Sequence, residues 1–518
     1  MMNKTIPLLR YFEKENLYLL IMACVVFVVM AFFHLQTIPQ PWFDEGWTLS
    51  VAKNWAEHGK YALRQGDEWV SGASMAQPFS VTFLVGISLR ILGFGIKAAR
   101  LPMIFLTIGC LVMLFKLSRQ LYGRQSAWMT LCTVLFLAPA AMYNPLIFGR
   151  QTIGEIPMLF YLLAGYWFWG SALKGSKTSI VLAGLFWGLA ILTKRQTLPF
   201  WLFSVFIVMF FSYFRKQLPV LFVTIASVLG TVLFLGLFQM VEQSLYSNFP
   251  TNGPPMQGLY ALAGWTFNPK IRLHVLGQLP LFCLSSIFGL AYVFPRIRSF
   301  AYKRKDILYE DWLEISLFSL ALSWFAWFVL GSLGWDRYYQ PVFILTALFA
   351  GKFLVDSINQ VSFLNLKEAL SLVGPKKVLI PNLLLVVWLV LQSLFFEALT
   401  LRGLLHSKDP LAHQVAVYVN RNTDPDARIE TYESELFFFL KRTYHYPPNQ
   451  LQVQLNRREF LEEDISITYS PFESNPDYLI VGPIGNLWGL YDPFIQSGDF
   501  QLVREFSNYV LYQRVTDR

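Results

Sequence analysis

Between Leu17 and Leu399 the chain reads as a succession of apolar blocks of roughly 15–23 residues, the length that carries a helix across about 30 Å of hydrocarbon. That pattern narrows the options sharply, because a backbone inside a bilayer satisfies its polar groups only in helices or a closed barrel. Of the 518 residues, 55% are hydrophobic and 14% charged, whereas a soluble chain is about one-quarter charged. After Thr400 the composition becomes that of an ordinary soluble domain. The expected fold is a polytopic α-helical membrane protein. Residues 1–399 would form the membrane domain, with a first outer loop at 36–97, and residues 400–518 a small extracytoplasmic α/β domain.

The formal net charge is +9. The Lys and Arg residues sit in short loops between apolar blocks, which is the signature of cytoplasmic membrane loops rather than of a nucleic-acid surface. Cys24, Cys110, Cys132 and Cys283 all lie inside apolar blocks, so neither a disulfide framework nor metal-ligand spacing is implied. The first block follows Lys4, Arg10 and Lys14 with no small-residue cleavage site, and reads as a retained signal anchor in an inner (plasma) membrane.

The expected spans are Leu17–Leu35, Leu101–Ser118, Ala127–Tyr143, Ile156–Ala172, Ile180–Leu192, Leu198–Phe214, Leu218–Met240, Val275–Phe294, Leu313–Ser332, Pro341–Val355 and Val378–Ala398. About eleven crossings place every basic loop inside and the tail outside. Pro78–Phe94 is apolar but would break this parity, and it carries Arg90. It is expected to lie in the interface or to re-enter. The outer face would then gather the 36–97 loop, the Gly149–Glu155 turn, the Val241–His274 loop, the Trp335–Pro341 loop and the tail.

Chemistry on that face starts with PWFDEGWTLSVAKNWAEHGKYA, in which Asp44 and Glu45 open a predicted helix. Acids at a helix start accept backbone N–H bonds and suit the dipole. A carboxylate at the membrane surface can equally take a proton from an acceptor during group transfer. Outer-side cations are unexpected by the charge rule, yet Lys97, Arg100, Arg150, Lys194, Arg195 and Arg337 all fall there. A lipid phosphate would account for them, since Arg grips phosphate in two-pronged fashion and Lys acts as a point charge. Snorkelling and interfacial anchoring are the bland readings of Lys194 and Arg337.

The first-loop stretch resembles the Asp-Glu motif of the membrane-embedded GT-C glycosyltransferases, among them the protein O-mannosyltransferases and aminoarabinose transferases. KAARLPMIF, FGRQTIGEIPMLFY, GLAILTKRQTLPF, GWDRYYQPVF and, in the tail, VAVYVNRNTDPDARIETYESELFFFLKR and DYLIVG resemble further family elements in order. The resemblance implies Asp44 as catalytic base. It further implies Glu45, Arg100, Arg150, Glu155, Lys194, Arg337 and Tyr338 as substrate-binding residues. Relatives more often carry Asp where this chain has Glu155, and a Pro pair near AQPF at Ala76–Phe79.

The implied activity is inverting transfer of a sugar from a polyprenyl-phosphate carrier to a lipid, protein or polysaccharide acceptor, with no dedicated metal or other cofactor set. A lipid-linked glycan flippase and a noncatalytic partner in glycan assembly are the alternatives. Asp424–Asp426 reads as a turn, no Walker sequence is present, and His34, His58, His274, His406, His413 and His445 do not pair at ligand spacing. The tail is expected to run helix (Leu411–Asn420), strand near Ile429, helix near Leu436–Lys441, strand (Tyr478–Val481), then strands near Gln501–Glu505 and Tyr509–Val515.

Overall fold

The computed structural model describes residues 25–515, except 26, 74, 141–142, 252–264, 303–306, 361–378 and 407. After a helical stretch at 27–32 come α1 (Phe43–His58), the short hairpin β1 (Leu63–Gln65) and β2 (Glu68–Val70), and α2 (Phe79–Leu92). The bundle then runs α3 (Ile96–Phe136), α4 (Pro145–Phe148), α5 (Glu155–Leu173), α6 (Lys177–Thr193), α7 (Thr197–Phe214) and α8 (Leu218–Tyr246). It continues with α9 (Pro269–Phe282), α10 (Leu284–Tyr302), α11 (Tyr309–Gly331), α12 (Asp336–Gln360) and α13 (Leu379–Leu405).

The chain is a polytopic α-helical membrane protein, but with fewer spans than expected. Among the described residues seven helices are long and apolar enough to cross a bilayer, or eight if the bent pair α9–α10 counts as one span, rather than about eleven. The differences have physical causes. The expected spans Leu101–Ser118 and Ala127–Tyr143 fall on either side of Gly123, whose positive φ of 86° breaks the stretch Ile96–Phe136, here labelled α3, into two helices that are counted together. Helix α6 has 17 residues and falls among the shorter apolar helices. Most of the expected first span, with Lys4, Arg10 and Lys14, lies outside the described residues, as do Lys303, Lys367, Lys376 and Lys377. Helix α2, at 14 residues, measures about 21 Å, short of the hydrocarbon thickness.

With no hydrophobic drive between helices in lipid, close approach and polar contacts hold such a bundle. Gly184 of α6 meets the backbone of Gly230 in α8 so closely that a Cβ there would lie 2.7 Å from the Gly230 carbonyl carbon. Ser204 of α7 donates to the Ser316 carbonyl of α11 at 2.7 Å and accepts from Tyr166 of α5 at 2.8 Å. At the C-terminal end of α5, Lys174 pairs with Glu310 at 2.8 Å, and nearby Arg296 pairs with the buried Glu314 at 2.8 Å. Glu155 opens α5 at its opposite end.

The C-terminal region carries α14 (Leu411–Asn422), β3 (Arg428–Thr431), a 3₁₀ turn (Ser434–Leu436), β4 (Thr443–His445) and α15 (Asn449–Leu461). β5 (Tyr478–Val481), α16 (Pro483–Trp488), α17 (Asp492–Gln496), β6 (Phe500–Phe506) and β7 (Tyr509–Arg514) complete it. The mixed sheet has the order β4-β3-β5-β7-β6, with β3 parallel to β4 and β5, and β7 antiparallel to β5 and β6. The helix expected near Leu436–Lys441 is absent. Only the 3₁₀ turn Ser434–Leu436 forms there, and beyond it Phe437 stacks on Tyr444 while Phe438 lies under the ammonium of Lys53. Strand β4 and helix α15 were not expected.

Candidate active site

Helix α1 directs its two acids differently. Glu45 turns inward and receives Arg100 in a two-pronged pair, Nε to Oε1 at 2.8 Å and Nη2 to Oε2 at 2.6 Å, with both side chains 0% exposed. The Thr152 backbone N–H also donates to Glu45 at 3.1 Å. Arg100 gives its remaining donors to the carbonyls of Leu35 and Pro39. A buried carboxylate demands such partners, since an uncompensated charge there costs several kcal/mol.

Arg150 is likewise buried. It donates to the carbonyls of Met30, Phe33, Ile38 and Leu146. Burial, and secondarily Arg100, lowers its pKa to about 10, which leaves it charged at neutral pH. Neither guanidinium is open to a ligand. The expected phosphate contact by Arg100 or Arg150 is therefore corrected: their donors are used in tying the 30–39 segment, α1 and the 146–152 turn together.

Asp44 faces the other way and pairs with Arg337 at the start of α12. Arg337 is held by rings: its Cζ lies 4.6 Å from the Trp335 centroid, 5.4 Å from Tyr338 and 5.5 Å from Trp42, geometry that adds cation–π attraction. Its Nε has no hydrogen-bond partner among the described residues. Next to it is a small pocket lined by Glu155, Lys194, Gln196, Trp327, Arg337 and Tyr338 among others. Lys194 ends α6 and bonds Glu155 at 3.0 Å, and the second Glu155 oxygen is buried without a partner.

Five of the eight candidate residues thus fall into two neighbouring arrangements around Asp44 and the pocket: Asp44, Arg337 and Tyr338, and Glu155 with Lys194, while Glu45 anchors the helix from behind. Lys97, also expected on this face, is exposed and does not line the pocket. Trp42 and Trp335 were missed as site residues. Each flanks a motif, in PWFDE and GWDRYY, and an aromatic beside a functional charge was the available signal. Among the described residues no three His, Cys, Asp or Glu side chains gather to hold a metal ion.

Residues 76–236 match the family described as dolichyl-phosphate-mannose-protein mannosyltransferase. No curated protein matches by sequence. Among solved structures, ArnT from Cupriavidus metallidurans bound to undecaprenyl phosphate is similar with a TM-score of 0.58 at 12% identity, over 96% of this chain and 98% of that one. The same protein in its apo state gives 0.57 at 13% identity, with the same coverage. The archaeal oligosaccharyltransferase AglB from Archaeoglobus fulgidus, in complex with an inhibitory peptide and a dolichol-phosphate, gives 0.56 at 12% identity over 98% of this chain and 75% of that one. The chain therefore has the fold of these solved membrane proteins along nearly its whole length, and its residues 76–236 match the mannosyltransferase family.

Proposed function

We propose that this protein transfers a sugar from a polyprenyl-phosphate carrier to an acceptor at the extracytoplasmic face of the inner membrane. The observation that carries the reading is the Asp44–Arg337 pair set beside a pocket that holds a second cation, Lys194. Basic residues and their acidic partners cluster at the far end of α5 from Glu155, which supports placing the site outside by the positive-inside rule. On this reading residues 1–399 form the membrane domain with its 36–97 loop, and 400–518 an external domain.

The phosphate of the donor competes with Asp44 for Arg337 and is met by Lys194 from the other side. Arg337 offers an unused N–H for it. Once released, the Asp44 carboxylate accepts the proton of the acceptor hydroxyl or amine. The acceptor atom bonds to the anomeric carbon as the bond from that carbon to the phosphate oxygen breaks. The electron pair stays on the phosphate, whose growing charge Lys194 and Arg337 stabilise. A single in-line displacement inverts the anomeric carbon. Glu45, Arg100 and Arg150 hold the frame on which Asp44 is aimed.

Purified protein in liposomes, given radiolabelled polyprenyl-phosphate sugars, tests this. Wild type should consume a donor, and Asp44→Asn should insert normally and consume none. Near-normal transfer by Asp44→Asn removes the carboxylate from the mechanism, and movement of intact lipid without transfer replaces the enzyme by a flippase.

A further inference from the structure

The C-terminal domain meets both halves of the site. Its Ser434 hydroxyl donates to the carbonyl of Phe43, the residue before Asp44. Gly46 faces the same turn, and a Cβ at Gly46 would collide with the backbone of Ser434 and Glu435. The turn itself is braced from behind. The Glu433 carboxylate accepts the backbone N–H groups of Gly482, Ile484 and Gly485 at 2.8–3.1 Å, and Glu435 accepts from the Tyr509 hydroxyl at 2.6 Å. The other contact is ring on ring. Phe460 of α15 stands edge-on to Trp335, with centroids 5.3 Å apart, and Trp335 is the ring closest to the Arg337 guanidinium.

We infer that the C-terminal domain is a positioning element of the site, through two separate contacts. Ser434, against Phe43 and Gly46, fixes where α1 presents Asp44. Phe460, against Trp335, fixes where Arg337 is held. The inference rests on the proposed transfer reaction and adds to it a division of labour. The first contact acts on the proton-accepting group and therefore on turnover. The second acts on the phosphate-binding group and therefore on donor affinity. Shifts of about 1 Å in reacting groups cost on the order of a hundred-fold in rate, so neither contact needs to touch substrate.

The test is steady-state donor consumption by full-length protein in liposomes, with apparent Tm recorded for each variant. Ser434→Ala should lower kcat ten- to a hundred-fold with donor KM within about two-fold of wild type. Phe460→Ala should raise donor KM several-fold with a smaller effect on kcat. Gly46→Ala should resemble Ser434→Ala more severely, and if it does not fold the other two variants still decide. A domain that merely stabilises the protein would move kcat in both variants in proportion to the fall in Tm, with no split between kcat and KM, and that result overturns the inference. Unchanged kinetics in both variants overturns it as well. If wild type itself consumes no donor, the transfer reading falls and takes this inference with it. If wild type turns over and the split is missing, only the inference falls.

Discussion

Replacing Arg100 by Leu separates the structural reading of this residue from the one its sequence position invites. In the structure Arg100 is fully buried and makes four hydrogen bonds within the protein: two to Glu45 and one each to the carbonyls of Leu35 and Pro39. Removing the cation leaves the Glu45 carboxylate buried at 0% exposure, with only the Thr152 N–H. Breaking a buried pair from one side costs about 3–5 kcal/mol. The two orphaned carbonyls add about 1 kcal/mol each. A loss of roughly 5–7 kcal/mol is comparable to the whole stability of many proteins, about 5–15 kcal/mol. The variant should therefore accumulate poorly and show a strongly lowered apparent Tm in detergent, by fluorescence-detected size exclusion after heating. Adding Glu45→Gln removes the uncompensated charge and should recover a substantial part of the loss. Arg100→Leu with wild-type Tm and only a raised donor KM would refute this reasoning and return Arg100 to the phosphate.

Lys194→Met should leave Glu155 unpaired and cut donor turnover by about 10²–10³-fold, the usual effect of deleting one group that stabilises developing charge; single-turnover donor consumption checks it, and Lys194→Met/Glu155→Gln should regain stability without regaining turnover. A pH dependence follows from the buried acids behind the Ser434 turn. Burial, then the neighbouring Glu435, pushes the Glu433 pKa well up, and burial pushes Glu435 up. Because Glu433 accepts three backbone N–H bonds, the retained proton sits on Glu435. A folded pKa above the unfolded value gives stability that is full below about pH 4.3 and is lost as pH rises through the folded pKa, at up to about 1.4 kcal/mol per pH unit. The apparent Tm should fall as pH rises above that unfolded value in wild type, and less steeply in Glu435→Gln; parallel curves would count against the assignment.

Much of this was legible in the sequence for reasons that can be named. Apolar blocks of bilayer length announce helices whatever their partners, which is why α5, α7, α8 and α11 fall close to their expected bounds. Strand β5 coincides with Tyr478–Val481 because its flanks, Asp477 and Gly482, end the apolar run. The span count depends on local features: the shortness of α6, the bend between α9 and α10, and the break at Gly123 that divides Ile96–Phe136. The Leu436–Lys441 helix failed because the segment is held by distant partners that local pattern does not show: Glu433 by the backbone of Gly482 and Gly485, Glu435 by Tyr509, and Phe437 by Tyr444. For the cations, sequence gave charge and approximate depth but no partner. Lys194 and Arg337 reach the pocket, while Arg100 and Arg150, with similar positions in the pattern, are used up inside the protein.

The pairing of two acids at 44 and 45 then acquires a reason. Consecutive residues on a helix point about 100° apart, so adjacent acids must face different surroundings. Glu45 spends its charge on Arg100, where neither group sees solvent. That anchor fixes the rotation of α1 about its axis. It works together with the contact of the Phe43 carbonyl and Gly46 against the Ser434 turn, which places the start of the same helix. Asp44 can stay partly exposed and available to a substrate proton because its neighbour is not. A lone acid on this helix could be reactive or well placed. Two in succession allow one to be buried for placement while the other stays at the surface for chemistry.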